Sequence, residues 1–252
     1  MEFQTSPLDF QIFAQLARTA TCVMNPLRFI HDDHVELASL DSKAVRQLAS
    51  CSTFERPLNR ALSKKLLLRN SFLSPGLSER LKTDEDLKTA LHLLHCEGPV
   101  FHRLAKTCTA VQLYPQIKSC VLKSCRKQME TILGPDAFLT SLRETRSFYP
   151  SLPKRSEEVR LKPYLDGKDA QIKMQKQRDD AADEPGPDIH PLVWEGLTTL
   201  ILFAERVDKG WGKLLALRLP KPPNNINLTQ QSLSDAQATE LKSLLKHRGF
   251  AC

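Results

Sequence analysis

His31-Asp32-Asp33-His34 puts two imidazoles and two carboxylates into four consecutive residues, a donor set that could hold a divalent metal. The spacing is not that of a HExxH helix. Asn25-Pro26 just upstream signals a turn, and Asp32 and Asp33 serve more simply as helix caps. A second cluster is His92, His95, Cys96 and His102. His92 and His95 are three apart and share a face if helical, with Cys96 beside them and His102 beyond Gly98-Pro99. The set could bind zinc, but Leu91 and Leu94 own the buried stripe, and structural zinc sites pair two ligand motifs where only one is present. The seven cysteines, at 22, 51, 96, 108, 120, 125 and 252, include no CxxC. Most fall in apolar-periodic stretches, where a free thiol behaves as a small hydrophobe, and they imply a reducing compartment. GxSxG, GxxxxGK[ST] and GxGxxG are all absent, so the expectation is no catalysis, no cofactor and no metal.

The elements that would position these groups read as helices. Leucine dominates the apolar residues, glycine is scarce (9 in 252), and runs of Val, Ile, Thr and Tyr are few. Pro7 to Met24 has Leu8, Ile12, Leu16 and Ala20 at helical spacing behind a Ser6 cap. Asp41 caps a short helix to Ala49, and Pro57 to Arg69 forms another before the Ser74-Pro75-Gly76 break. Acids at 84–86 open a helix carrying Leu87, Leu91 and Leu94, and Gly98-Pro99 ends it and starts the next. A further helix starts at Pro115 and runs through Ile117, Val121, Leu122, Cys125, Met129 and Ile132 to Gly134-Pro135, with Phe138, Leu139 and Leu142 beyond. From Pro150 to Pro187 charges and prolines replace apolar residues. That segment reads as a solvated insertion for which disorder and a transient charged helix over 168–183 both stand. Leu192 to Val207 is apolar on most of its surface and is expected to be the central helix, ended by Gly210. Ser234 caps a terminal helix carrying Leu241, Leu244 and Leu245. The fold class is therefore all-α: a single irregular multi-helix domain made from an N-terminal region (1–149) and a C-terminal region (188–252), with the charged linker or insertion (150–187) between them.

The net charge of +7 would attract nucleic acid, an anionic membrane surface or an acidic protein. It is spread along the chain, and the basic segments lack interleaved aromatics, which disfavours an RNA-binding module. A helical nucleic-acid-binding protein remains the alternative reading, since a three-helix DNA-reading unit fits an all-α chain. No apolar run approaches the ~18 residues that span a bilayer, and the first residues lack a basic start, so the protein is expected to be soluble and cytoplasmic.

One stretch is more specific. Trp211-Gly-Lys-Leu-Leu-Ala-Leu-Arg-Leu-Pro220 follows the apolar 192–207 segment and sets a tryptophan and a lone arginine among leucines before a hard stop. Trp and Arg are the residues most often found at interface hot spots, though a tryptophan packs internally as readily. Trp211, Lys213, Leu215, Leu217, Arg218, Leu219 and Pro220, preceded by Gly196-Leu197, resemble the C-terminal signature of the SctK (YscK-like) family, accessory proteins of the bacterial type III secretion sorting platform. Pro26, Arg28, Phe29, Ile30 and His31 resemble that family's N-terminal Pro-x-x-aromatic-aliphatic-His element, and Leu133-Gly134 follows a similar middle helix. The N-terminus, the 150–187 segment and the tail after Pro220 depart from the pattern.

The resemblance implies an all-α cytoplasmic adaptor beneath the inner-membrane base of the secretion apparatus, needed for its assembly and for protein secretion. Its partners would be the cytoplasmic domain of an SctD-like ring protein and an SctQ-like pod protein, with SctL and the ATPase SctN reached through SctQ. The partner-binding residues it points to are Pro26, Arg28, Phe29, His31, Trp211, Lys213, Arg218 and Pro220.

Overall fold

The computed structural model describes residues 7–68, 77–156, 189–222 and 232–248. These form helices α1 (Pro7–Met24), α2 (Ser42–Ala49), α3 (Ser52–Lys65), α4 (Leu77–Thr83), α5 (Glu85–His95) and α6 (Gly98–Gln112). They continue as α7 (Tyr114–Ser119), α8 (Lys123–Leu133), α9 (Pro135–Phe148), α10 (Val193–Val207), α11 (Lys209–Leu217) and α12 (Asp235–His247). Short 3-10 turns lie at Pro26–Arg28, Asp32–His34 and Leu152–Ser156. Among the described residues there is no strand, only an isolated bridge between Leu37 and Leu40, so the fold class is all-α. No helix among them is long and apolar enough to cross a membrane.

The chain divides into two compact units. One gathers Met1–Cys96 with Ile201–Pro222, the other Glu97–Leu200 with Pro223–Ala251. The divisions fall at Cys96/Glu97 and inside α10, away from the composition changes near 150 and 187.

In the first unit α1 packs on α3, α4 and α5, and α11 packs on α5. The caps follow local chemistry. Asp41 Oδ1 accepts from Ala44 N at 2.7 Å, and Asp84 Oδ1 accepts from Asp86 N and Leu87 N, each at 3.0 Å, so each aspartate satisfies donors at a helix start. Helix α3 begins at Ser52, five residues before the expected start at Pro57. The proline is carried within the helix, where its ring-fixed φ is already helical and its missing N–H costs one intrahelical bond. It ends at Lys65, short of the expected Arg69, because Leu66 leaves helical geometry and Leu67 takes a φ of 53°. The 74–76 break and the Ser6 cap lie outside the described residues. Helix α4 was not anticipated, although Leu77 and Leu81 have helical spacing and Leu81 is buried. Gly210 does not end α10. Asp208 does, because its carboxylate caps Gly210 N and Trp211 N (2.8 and 3.3 Å) and opens α11.

In the second unit α6 is the hub, touching α7, α8, α9, α12 and the 152–156 turn. Ala110, Leu113, Ile117, Met129, Leu133, Phe138 and Leu192 share one apolar cluster. The single helix expected from Pro115 to Ile132 is two, α7 and α8. Cys120 turns extended between them so that Ile117 and Met129 both reach the cluster, and Val121 and Leu122 are left 83% and 71% exposed. Arg126 Nε donates to Cys120 O at 2.8 Å and closes that break. Gly134, at φ 87°, makes the sharp entry into α9. Residues 150–156, expected to belong to the solvated insertion, include the buried Leu152, held where Glu240 accepts from the backbone N–H groups of Ser151 and Leu152. The rest of that insertion lies outside the described residues. The first residues of α10 approach α6 closely. Thr109 Oγ1 accepts from Gly196 N at 3.0 Å while donating to Ala105 O at 2.9 Å, and Gln112 Nε2 donates to Thr199 Oγ1 at 2.5 Å. The terminal helix α12 opens with a full capping box between Ser234 and Gln237.

Candidate functional site

Within the first unit the two sequence elements that stood out, 26–34 and 211–221, fold against each other. Pro26 fixes the start of a 3-10 turn, and Pro26 and Leu27 are buried. The backbone of that turn is gripped from α2 and α3. Asn59 Oδ1 accepts from Leu27 N at 3.1 Å, and Arg46 donates to Leu27 O at 2.6 Å and Ile30 O at 3.2 Å while pairing with Asp32. Three links then tie the turn to the end of α11. His31 N donates to Leu217 O at 2.7 Å, His34 Nε2 donates to Leu219 O at 3.0 Å, and Lys221 N donates to Asp33 Oδ2 at 2.8 Å. The carbonyl acceptor requires the proton of His34 to sit on Nε2.

Arg218 is the centre of the arrangement. Its Nη1 donates to Leu94 O and its Nη2 to Cys96 O at 2.9 Å, so the guanidinium neutralises the negative end of α5, where carbonyls have no intrahelical partner. The same group lies 5.4 Å from the centroid of the half-buried Phe29 ring. The charge of Arg218 also reaches Cys22 and His95. Burial pushes the Cys22 thiol up to about 11 even though Arg218 draws it down. Burial first, then the charges of Arg218 and Arg18, push His95 down to about 4. Thr19 donates its hydroxyl proton to Gln15 O at 2.9 Å, so it accepts from His95 Nε2 at 2.7 Å, and the imidazole is neutral.

The eight residues singled out in the sequence separate by burial. Trp211 is 1% exposed and is buried together with its neighbours Gly210 and Gly212. Pro26 is buried, and Phe29, His31, Lys213, Arg218 and Pro220 are half-buried. Arg28 has a side chain 75% exposed and pairs with Glu55 at 2.8 Å, a surface pair that contributes little stability. The partners of Arg218 are two carbonyls and an aromatic face, not an acid. The surface around the junction is therefore offered by Arg28, Lys213, Asp33, Glu36 and Lys221, the last two joined at 3.3 Å. Sequence reasoning missed Arg46 and Asn59, which hold the 26–34 turn. Nothing local marks them, because their partners are backbone groups up to 32 residues away.

In the 31–34 cluster the groups already have partners: His31 Nδ1 accepts from Asp33 N at 3.3 Å, Asp32 pairs with Arg46, and Asp33 takes Lys221 N. Among the described residues no three His, Cys, Asp or Glu side chains converge as metal ligands would.

His95 gives this site a pH signature. An unfolded chain protonates it near pH 6.5 and the folded chain only near pH 4, so between those values the unfolded state takes up more protons. Its contribution to stability is complete above about pH 6.5 and is lost as the pH falls toward 4. His34 and His92, both lowered mainly by burial, act with the same sign. Urea midpoints taken between about pH 7.5 and 4.5 should show His95→Gln, which keeps a donor for Thr19, losing about 2 kcal/mol less than the parent once solvent screening of the half-buried ring is allowed for. Identical acid sensitivity in the two proteins would mean that His95 is not held neutral.

No protein-family model, curated protein or solved structure matches this chain.

Proposed function

We propose that this chain is a helical adaptor of the bacterial type III secretion sorting platform, of the SctK (YscK-like) kind, working at the cytoplasmic base of the inner-membrane ring. In this role it links an SctD-like ring protein to an SctQ-like pod protein, and through the latter to SctL and the ATPase SctN, so that the apparatus assembles and secretes. What supports the reading is one observation. The two elements that resemble the family, Pro26–His31 and Trp211–Pro220, lie far apart in sequence and meet in the first unit through Phe29–Arg218 and His31–Leu217. A pattern retained at two distant places is accounted for when both places build one structure. The work required of an adaptor is geometric, and a junction tied by backbone hydrogen bonds holds the exposed Arg28 and the half-buried Lys213 in fixed positions without turnover or cofactor.

The test is co-purification with the SctQ-like protein and the SctD-like cytoplasmic domain of the same source, at moderate and high salt. Capture of at least one partner is expected. The Arg28→Glu, Lys213→Glu double variant should weaken one capture at least tenfold while melting within a few degrees of the parent. Failure to capture either partner with folded protein would sink the adaptor reading. Retained capture by the double variant would move the contact off this junction. Salt-sensitive retention of duplex DNA in place of both partners would favour the nucleic-acid reading.

A further inference from the structure

Wholly within the second unit, a cleft of about 740 Å³ opens between α6 and α9. Its walls are one stripe from each helix. On α6, Val100, Arg103 and Lys106 recur at three-residue steps, and on α9, Asp136, Leu139 and Arg143 recur at three- and four-residue steps, so each set shares a helix face. The floor is apolar, from the buried Leu104, Leu133 and Ala137, and Leu139 is a large aliphatic side chain left 42% exposed at the edge.

The charges on this cleft are unbalanced. Arg248 is satisfied, since it pairs with Glu144 at 2.8 Å and donates to Thr140. Among the described residues Arg103, Lys106 and Arg143 have neither an acidic counter-ion nor a side-chain hydrogen bond, and Asp136 is the one unpaired carboxylate among the lining residues. Burial and the Lys106 charge push His102 down, so it adds no charge at neutral pH. Three cations around an apolar floor repel one another and are relieved by a partner that brings carboxylates on both sides of an aliphatic stripe. A phosphate backbone fits less well. No Phe, Tyr or Trp among the lining residues offers a base a stacking face, and the Asp136 and Glu144 carboxylates would repel phosphates.

We propose that the α6–α9 cleft is a docking groove for an acidic amphipathic helix of a partner protein, whose aliphatic residues enter over Leu104, Leu133 and Ala137 while its carboxylates pair with Arg103, Lys106 and Arg143. The groove lies in a different unit from the 26–34/211–221 junction, and the inference stands whatever becomes of the adaptor reading.

The experiment uses the full chain and a fluorescein-labelled amphipathic peptide of about three helical turns, with leucines along one face and glutamates on the flanks, read by fluorescence anisotropy. Comparison probes are the same peptide with lysines for glutamates, the same with alanines for leucines, and a poly-uridine oligonucleotide. The acidic leucine peptide should bind, and both altered peptides should bind at least tenfold more weakly. The Arg103→Glu, Lys106→Glu, Arg143→Glu variant should lose at least tenfold in affinity with an unchanged circular dichroism spectrum. Arg56→Glu, Arg60→Glu, Lys64→Glu, which makes the same charge change on the exposed face of α3, should change affinity less than threefold. An equal loss in both triple variants would reduce the effect to net charge and overturn the proposal. So would tighter binding of the oligonucleotide, or no binding of the acidic peptide. Should the cleft variant fail to fold, Leu139→Glu alone must still abolish peptide binding, and unimpaired binding by that variant would overturn the groove.

Discussion

Arg218→Ala is expected to lower the stability of the first unit by about 3 kcal/mol, because it strips two charge-assisted hydrogen bonds from carbonyls at the end of α5 and a cation from the Phe29 ring. The larger part of that cost is the pair of carbonyls left without a donor in a partly buried place, not the bonds themselves. Arg218→Lys should recover less than half, since an ammonium cannot span Leu94 O and Cys96 O with the fixed fork of a guanidinium. The measurement is urea unfolding in a Trp194→Phe background, where the remaining tryptophan, Trp211, lies in the same unit and is buried. A second readout separates the charge from the bonds. Removing Arg218 takes away one of the charges holding His95 down, so its ring should titrate above about 4 in a histidine NMR series. A midpoint within about 0.5 kcal/mol of the parent, an ordinary surface-substitution effect, would contradict the capping role.

The second large effect is expected at Gly196. A Cβ there would stand 2.0 Å from Ala105 O and 2.6 Å from Thr109 Oγ1, and the nearer atom belongs to the backbone of α6 and cannot swing aside. The same added methyl would break the Gly196 N to Thr109 bond by forcing the helices apart. Overpacking of this kind costs about 3 kcal/mol or more, so Gly196→Ala should unfold in urea well before the parent. Gly98→Ala is the matched control: a Cβ at Gly98 meets nothing within 4 Å, and the change should be neutral or slightly stabilising. If the two variants unfold together, the close approach of α10 and α6 is wrong.

These two residues also mark how far the sequence could be read. The bounds of α1, the capped starts of α2, α5 and α12, and the Gly98-Pro99 and Gly134-Pro135 boundaries rest on local rules of periodicity, capping and proline geometry, and they stand where those rules put them. Local rules failed where a distant contact decided. Nothing near Cys120 says that the 115–132 periodicity must break, since the reason is that Ile117 and Met129 share a cluster reached only by turning the chain. Gly210 looked like a terminator, yet the cap of Asp208 uses it inside the first turn of the next helix. The candidate site behaves in the same way. Trp211, Arg218, Phe29 and His31 stood out as residue types, but their meeting did not, because Arg218 and His31 are joined through carbonyls, which every residue has and none advertises.

The bond from Arg218 to Cys96 O spans 122 positions, with most of the second unit lying between its two ends. On a ribosome adding roughly 5 to 20 residues per second, α5 emerges about 6 to 24 s before the arginine that caps it has been synthesised. Over that interval the second unit's α6 to α9 can fold from contiguous chain, whereas the first unit waits with an open helix end. The first helices translated are thus among the last to be capped, and over that interval they stand open to chaperones and proteases.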